Sequence, residues 1–323
     1  MKSWVHSTSA KGQTFLLKDV PAPEPGVGEI VVRVKAASFN RGEIFAAQNA
    51  PAISDGKPAG IECAGEIVRF GSSVAGFKAG ERVMGRAKMA FSELAIFQAE
   101  DAIPVPANFS WEEAACASIT YQVAHDMLFG EGILKAGEWL LITGVSSGVG
   151  IAALQLGKLR GAKVIGTSRS QAKLAKLTEL GLDHGLLYED QDFVRQILSI
   201  TGGYGVDVIV NNVGGGVFAR CLEILAYQGR LATVGHLDGI DHAEIDLKAQ
   251  HRKRLKLYGV SNQLRPVQER AQSVSLFVCD ILPAMKQGKI VPVIDQVFEF
   301  HECDYGLEYL VSNNQVGKVV IRS

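Results

Sequence analysis

The sequence predicts an α/β protein of about two domains, a β-rich amino-terminal part followed by a parallel sheet with helices on both faces. Three observations predict it. Up to about residue 110 the chain consists of short apolar runs between glycines and prolines. From residue 138 strand and helix patterns alternate. Between them, LITGVSSGVGIAALQ (141–155) carries a strand through a loop of Gly and Ser straight into a helix of small residues.

The bulk numbers fit this class and exclude others. Of 323 residues, 47% are hydrophobic and 21% charged, enough to bury a full core. The net charge of −1 gives no general attraction to nucleic acid or to an anionic membrane. No apolar run reaches the length of a membrane span. The opening MKSWVHSTSAKGQ has no apolar signal core, so a cytoplasmic protein is expected. The five cysteines form no C-x-x-C pair, and scattered buried thiols are expected rather than disulfides or a zinc knuckle.

The elements follow in order. VPAPEPGVGE is a proline-rich loop, and EIVVRVKAA (29–37) alternates as a half-buried strand. In GIECAGEIVRFGSSVAGFKAGERVMG (60–85), five further glycines after Gly60 separate short strands, the pattern of a compact barrel. WEEAACASITYQVAHDMLF (111–129) is helical in pattern. Then come strand EWLLITG, helix VGIAALQLGKLRG, strand AKVIGTS, and helix SQAKLAKLTELG with Ser170 as N-cap. Helix DFVRQILSITGG, strand VDVIVNNVGG, helix VFARCLEILAYQG and strand RLATVGHL continue the alternation, which implies right-handed crossovers. A long helix (about 266–287), strand VPVIDQVFEF, helix DYGLEYLVSN and strand GKVVIRS close the chain.

The loop at 141–155 is the first functional signal. Its glycines, Gly144, Gly148 and Gly150, are not a clean G-x-G-x-x-G, but the strand, the helix and the βαβ context are all present. A helix N-terminus offers unpaired N–H groups and partial positive charge to a pyrophosphate, here at Ser147, Gly148, Val149 and Gly150. About twenty residues on, an NAD site usually has an acid for the ribose hydroxyls. This chain has TSRSQAK (167–173), with Ser168, Arg169 and Lys173 and no acid, which suits a 2′-phosphate and favours NADPH. Surface charge alone is the competing reading of Arg169 and Lys173. Asn212, Val234 and Gly235 lie at strand C-terminal ends, where ligands bind in open α/β sheets. His236 follows as a candidate proton donor or a structural histidine, and no convincing general acid is evident.

Nearly end to end, the chain resembles the medium-chain dehydrogenases/reductases. PAGIECAGEIVRFGSSVAGFKAGERVMG stands for the family's G-x-E-x-x-G…G-D-R-V pattern. The glycine loop, VDVIVNNVGG…GRLATVG and VGKVVI (316–321) complete the likeness. The resemblance implies a GroES-like β-barrel catalytic domain (1–115 and 262–323) around a doubly wound Rossmann NADP-binding domain (116–261). It also implies a homodimer.

Within that superfamily the likeness points away from the zinc alcohol dehydrogenases. Their catalytic zinc ligands would fall at Asn40, Ile61 and Cys116, and one thiolate cannot make a three-ligand site. The four-cysteine structural lobe between Gly85 and Phe91 is absent. The chain most resembles the zinc-independent quinone oxidoreductase-like branch, whose acceptors, quinones and α,β-unsaturated carbonyls, are electrophilic without a Lewis acid. There the enzyme places nicotinamide C4 about 3–3.5 Å from the acceptor carbon and stabilises the resulting oxyanion.

The resemblance assigns Asn40 to the acceptor's oxygen, Thr120 to the nicotinamide end and Tyr188 to the adenosine 2′-phosphate. Arg41 reads as surface, and Glu62 and Gly65 as the architectural G-x-E-x-x-G core. Glu43 stands where the branch has Asp. The branch's R-x-G-x-Y stretch is replaced by AAQNAPAISDG, with Ala47, Asn49 and Pro51. That departure keeps alternatives open: an enoyl-thioester reductase, an alcohol dehydrogenase of the same superfamily, or a non-catalytic NADPH-binding sensor or structural protein.

Overall fold

The computed structural model describes residues 1–9, 12–42, 56–188 and 192–323. It divides the chain into two compact units, Met1–Thr120 with Val267–Ser323, and Tyr121–Pro266.

The first unit opens with the antiparallel hairpin β1 (Lys2–Ser9) and β2 (Gly12–Asp19). Then come β3 (Glu29–Ser38), β4 (Glu62–Phe70), β5 (Arg82–Arg86), β6 (Leu94–Gln98) and β7 (Ala102–Pro104). Within β5, paired on both sides, one position takes only glycine. At Gly85 (φ +158) a Cβ would meet the Asp101 carbonyl at 2.3 Å. Helix α1 (Trp111–His125) follows, its first turn carrying Glu112 and Glu113 as the macrodipole favours. A π-helical stretch, Asp126–Glu131, continues it.

The second unit is the doubly wound sheet. Its elements are β8 (Trp139–Thr143), α2 (Gly148–Arg160), β9 (Lys163–Ser168), α3 (Gln171–Thr178), β10 (His184–Leu187), α4 (Phe193–Ile200), β11 (Val206–Asn211), α5 (Gly215–Ile224), β12 (Leu225–Thr233), α6 (Leu247–Lys253) and β13 (Lys256–Gly259). All strand pairs are parallel, in the order β10-β9-β8-β11-β12-β13. The chain winds outward from β8 to β10, returns to β11 and winds the other way. The β8–β11 boundary is therefore the switch point, where ligands bind in such sheets. Leu141, Ile165, Ile209, Leu231 and Val206 are buried from the strands against Phe193, Ile197, Val217 and Cys221 from the helices. Each such side chain contributes about 1.5–3 kcal/mol. One boundary differs from the sequence pattern. The apolar run through AYQG predicts helix, but Leu225 is extended (φ −63, ψ 135) and opens β12.

The chain then returns to the first unit with α7 (Val267–Leu276), a π-helical stretch Phe277–Ile281, α8 (Leu282–Lys286), β14 (Ile294–Glu299), α9 (Cys303–Val311) and β15 (Lys318–Arg322). The long helix the sequence predicts is thus helical from Val267 to Lys286, with a π-helical stretch at its centre. The sheet order is β14-β15-β3-β4-β5-β7, with β6 paired to β3, antiparallel except for β14–β15. Its core gathers Ile30, Val32, Phe39, Cys63, Phe91 and Ile321. Cys63, Cys116, Cys221 and Cys303 are buried, whereas Cys279 is exposed. Among the described residues, no helix is long and apolar enough to cross a membrane.

Candidate functional site

In the second unit the glycine loop forms a capped helix start. Ser147 is the N-cap of α2: its Oγ accepts from the Gly150 N–H (3.1 Å) and donates to the Gly144 carbonyl (2.9 Å). Gly144 has φ +63. At Gly150 a Cβ would stand 2.6 Å from the Gly144 carbonyl oxygen and 2.7 Å from that of Val145. Only glycine lets the helix start lie this close to the strand end. At Gly157 a Cβ would meet Leu140 at 2.7 Å, so a second glycine seats α2 on β8. The cap leaves the Gly148 and Val149 N–H groups without an acceptor among the described residues. Two unpaired amides at the positive end of a helix are what a pyrophosphate takes.

At the end of β9, the Ser168 carbonyl accepts from the Tyr188 N–H (3.4 Å), which brings Tyr188 beside it. Ser168 is buried and its Oγ accepts from the Ser170 N–H (3.3 Å). Ser170 in turn caps α3 through the Lys173 N–H (3.4 Å). Arg169 is exposed between them. Ser168, Arg169, Lys173 and Tyr188 therefore share one end of two neighbouring strands, with no acid in 167–173.

The ends of β8, β11 and β12 are joined by buried amides. Thr143 Oγ donates to Asn211 Oδ1 (3.0 Å), which also accepts from the Val213 and Gly214 N–H groups (both 3.1 Å). Asn212 Nδ2 donates to the Thr143 carbonyl (2.8 Å), and the Val234 N–H to the Asn211 carbonyl (3.1 Å). At Gly235 a Cβ would lie 3.0 Å from the Asn212 carbonyl oxygen. Asn212, Val234 and Gly235 are brought together, and the Asn212 side chain is committed to holding strand ends in register. Beyond them Asp238 accepts from the Gly216 and Ile240 N–H groups (2.8 and 2.9 Å), and His236 is exposed.

In the first unit, sheet register builds a buried ionic cluster. Val320 pairs with Ser38 across the antiparallel β15–β3 ladder, so Lys318 falls opposite Asn40. Ala37 pairs with Cys63, so Glu62 falls opposite Ser38. Glu62 is fully buried, and its carboxylate accepts five bonds. Oε2 takes Ser38 Oγ (2.8 Å), Asn40 Nδ2 (3.0 Å) and Lys318 Nζ (3.1 Å). Oε1 takes Ser118 Oγ (2.8 Å) and the Ile119 N–H (2.6 Å). Lys318 Nζ also donates to Asn40 Oδ1 (2.8 Å). Burial works to raise the Glu62 carboxyl, but the Lys318 ammonium and the Ile119, Asn40 and Ser118 donors hold it below the ordinary carboxylate value. Burial pushes the Cys116 thiol well up, and the Lys318 ammonium offsets only part of that. Thr120 donates its hydroxyl back to the Cys116 carbonyl (3.1 Å). Arg41, expected as a surface residue, is partly buried and donates to the Leu310 carbonyl and to Asn313. Glu43, Ala47, Asn49 and Pro51 lie outside the described residues.

Sequence reasoning passed over Lys318, Ser38, Ser118, Thr143 and Asn211. The available signal was a lysine opening the apolar strand KVVI, which in isolation reads as an ordinary strand end.

Comparison with known proteins gives two family matches. Residues 26–107 match "Alcohol dehydrogenase GroES-like domain" and residues 148–277 match "Zinc-binding dehydrogenase". The chain is 29% identical over 308 residues to a phenolphthiocerol/phthiocerol polyketide synthase polypeptide of Mycobacterium tuberculosis. That match spans 94% of this chain but only 14% of the much longer synthase polypeptide. Among solved structures, JamJ enoyl reductase superposes with TM-score 0.86 at 25% identity, covering 100% of this chain and 99% of the other. An NAD-dependent alcohol dehydrogenase superposes with TM-score 0.85 at 26% identity, covering both chains fully.

Proposed function

The chain belongs to the medium-chain dehydrogenase/reductase superfamily of oxidoreductases, and within it we propose an NADPH-dependent, zinc-independent reductase of quinones or α,β-unsaturated carbonyl compounds.

The observation that carries this reading is the donor chemistry at the superfamily's zinc-ligand positions. The Ile61 side chain has no donor atom, the Asn40 amide oxygen faces a lysine ammonium, and the Cys116 thiol alone cannot make a three-ligand site. Zinc binds thiolate, neutral imidazole or carboxylate, so these residues do not fit it. Among the described residues, no cluster of three His, Cys, Asp or Glu side chains offers another metal site. An alcohol needs help to lose its proton as hydride leaves, whereas an acceptor that is already electron-poor does not.

The second unit's residues fit NADPH. Gly148 and Val149 N–H groups take the pyrophosphate, Gly150 lets the helix start pack against the strand end, and Ser168 and Arg169, with Lys173 and Tyr188, take the 2′-phosphate. When bound, NADPH supplies the hydride. The chain's own part is to hold it, with Thr120, Asn212, Val234 and Gly235 assigned to its nicotinamide half. Asn40 is assigned to the acceptor's oxygen, where its fixed amide dipole stabilises the enolate or phenolate that forms. Solvent supplies the final proton.

The JamJ enoyl reductase likeness favours a carbon–carbon double bond conjugated to a thioester as a second reading, with the same residue roles. A panel of a quinone, an enone, an enoyl thioester and a primary alcohol tests both. We expect NADPH oxidation with at least one of the first three and no NADP⁺ reduction by the alcohol. NADPH binding without oxidation by any of the three would leave the sensor alternative instead.

A further inference from the structure

We propose that Lys318 is a positioning residue, which together with Glu62 fixes the direction in which the Asn40 amide points. The inference rests on the reading of Asn40 given above and adds the device that makes it work.

The Asn40 amide is held by two groups of opposite polarity. Its oxygen accepts from the Lys318 ammonium at 2.8 Å, and its nitrogen donates to the Glu62 carboxylate at 3.0 Å. Rotating the amide by 180° would put its NH₂ against the ammonium and its oxygen against the carboxylate. Both contacts would change from attractive to repulsive. The side chains of Lys318 and Glu62 are only 6% and 0% exposed, so the solvent that could soften either contact is largely excluded. An asparagine alone has no such preference, because its two ends are nearly the same size.

The cluster is over-built for satisfying Glu62. A carboxylate offers about four lone-pair sites, and Ser38, Asn40, Ser118 and the Ile119 N–H already supply four donors. The ammonium is the fifth donor to Glu62, and it is the donor to Asn40 Oδ1. Stability is a poor explanation for a buried ion pair, since an apolar pair of like volume stabilises as well or better. Orientation of a dipole is something an apolar pair cannot supply. The register of β15 on β3 delivers the ammonium to that spot from 278 residues away.

A mutant cycle on the acceptor that the wild-type protein reduces tests this. Lys318→Met alone leaves Glu62 uncompensated and risks misfolding, so the charge-balanced pair Glu62→Gln/Lys318→Met is used beside it. Asn40→Ala is expected to lower kcat by about 10²-fold, as loss of one oxyanion donor does. Glu62→Gln/Lys318→Met is expected to lower kcat by a similar factor with the KM for NADPH unchanged. The triple variant is expected to be no slower than Asn40→Ala. Additive losses, or a raised KM for NADPH at constant kcat, would overturn the proposal. A second readout needs no turnover: in asparagine-¹⁵N-labelled protein, the Asn40 side-chain amide hydrogens should exchange slowly in wild type and rapidly in Glu62→Gln/Lys318→Met. Unchanged exchange would also overturn it. Absence of turnover on every acceptor would sink the reductase reading while the exchange experiment still decides the role of Lys318.

Discussion

Lys318→Met removes one partner of an ion pair buried in the first unit. Its magnitude follows from what is left behind. Glu62 stays fully buried and keeps the Ser38, Ser118, Asn40 and Ile119 donors, but loses the only cation bonded to it among the described residues. Breaking a buried pair in this way costs about 3–5 kcal/mol. At about 2–4 °C per kcal/mol for a unit of this size, the melting temperature should fall by about 6–20 °C. Converting Glu62 to Gln in the same chain removes the stranded charge and should recover most of the loss, since neutral isosteres of buried pairs are often as stable as the pair. The assay is thermal unfolding of wild type, Lys318→Met and Glu62→Gln/Lys318→Met side by side, followed by circular dichroism. Two results would refute the reasoning: a single variant that melts within about 2 °C of wild type, or a double variant that melts below the single one. The first would mean that the charge is not held out of water; the second that volume and not charge dominates.

Other perturbations probe the remaining parts. Gly150→Ala places a Cβ 2.6 Å from a backbone carbonyl that cannot move aside, so it should destabilise the second unit by about 1–3 kcal/mol and weaken NADPH binding, as read by melting and by fluorescence titration. Arg169→Asp should weaken NADPH binding by about 10–100-fold, the worth of one charge-assisted bond, while leaving NADH binding little changed; equal losses would indicate a fold effect. Because the folded state holds Glu62 below its ordinary value of 4.5, its stabilisation is present above that pH and is lost as pH falls further through the folded value. Wild type should therefore lose melting temperature more steeply below pH 4.5 than Glu62→Gln/Lys318→Met.

What the sequence made legible was local. The doubly wound sheet could be read because strand and helix periods alternate within a few residues of each other. The capping of α3 by Ser170 could be read from residue type and position alone, whereas Ser147, read as part of the phosphate loop, emerged as the cap of α2 only in the structure. The end of α5 could not, because Leu222, Ile224, Leu225 and Ala226 continue an apolar pattern that helix and buried strand share. Pairing of Leu225 with Val206 across the sheet decided it. The ionic cluster was the least legible part. Glu62 and Asn40 were visible as motif residues, but Lys318 lies 256 and 278 residues from them, and only the β15–β3 register brings it there. Asn40 itself was read as a donor to a substrate; the structure adds that its amide also bonds Lys318 and Glu62.

On this reading a 2′-phosphate site is coupled to hydride transfer without a metal. That coupling is tested most directly by the initial rates of NADPH and NADH oxidation with the best acceptor of the panel, measured on protein dialysed against a chelator. The account predicts that dialysed and untreated protein have equal rates and that NADPH is consumed much faster than NADH. A preference for NADH, or a rate lost on dialysis and restored by zinc, would contradict it.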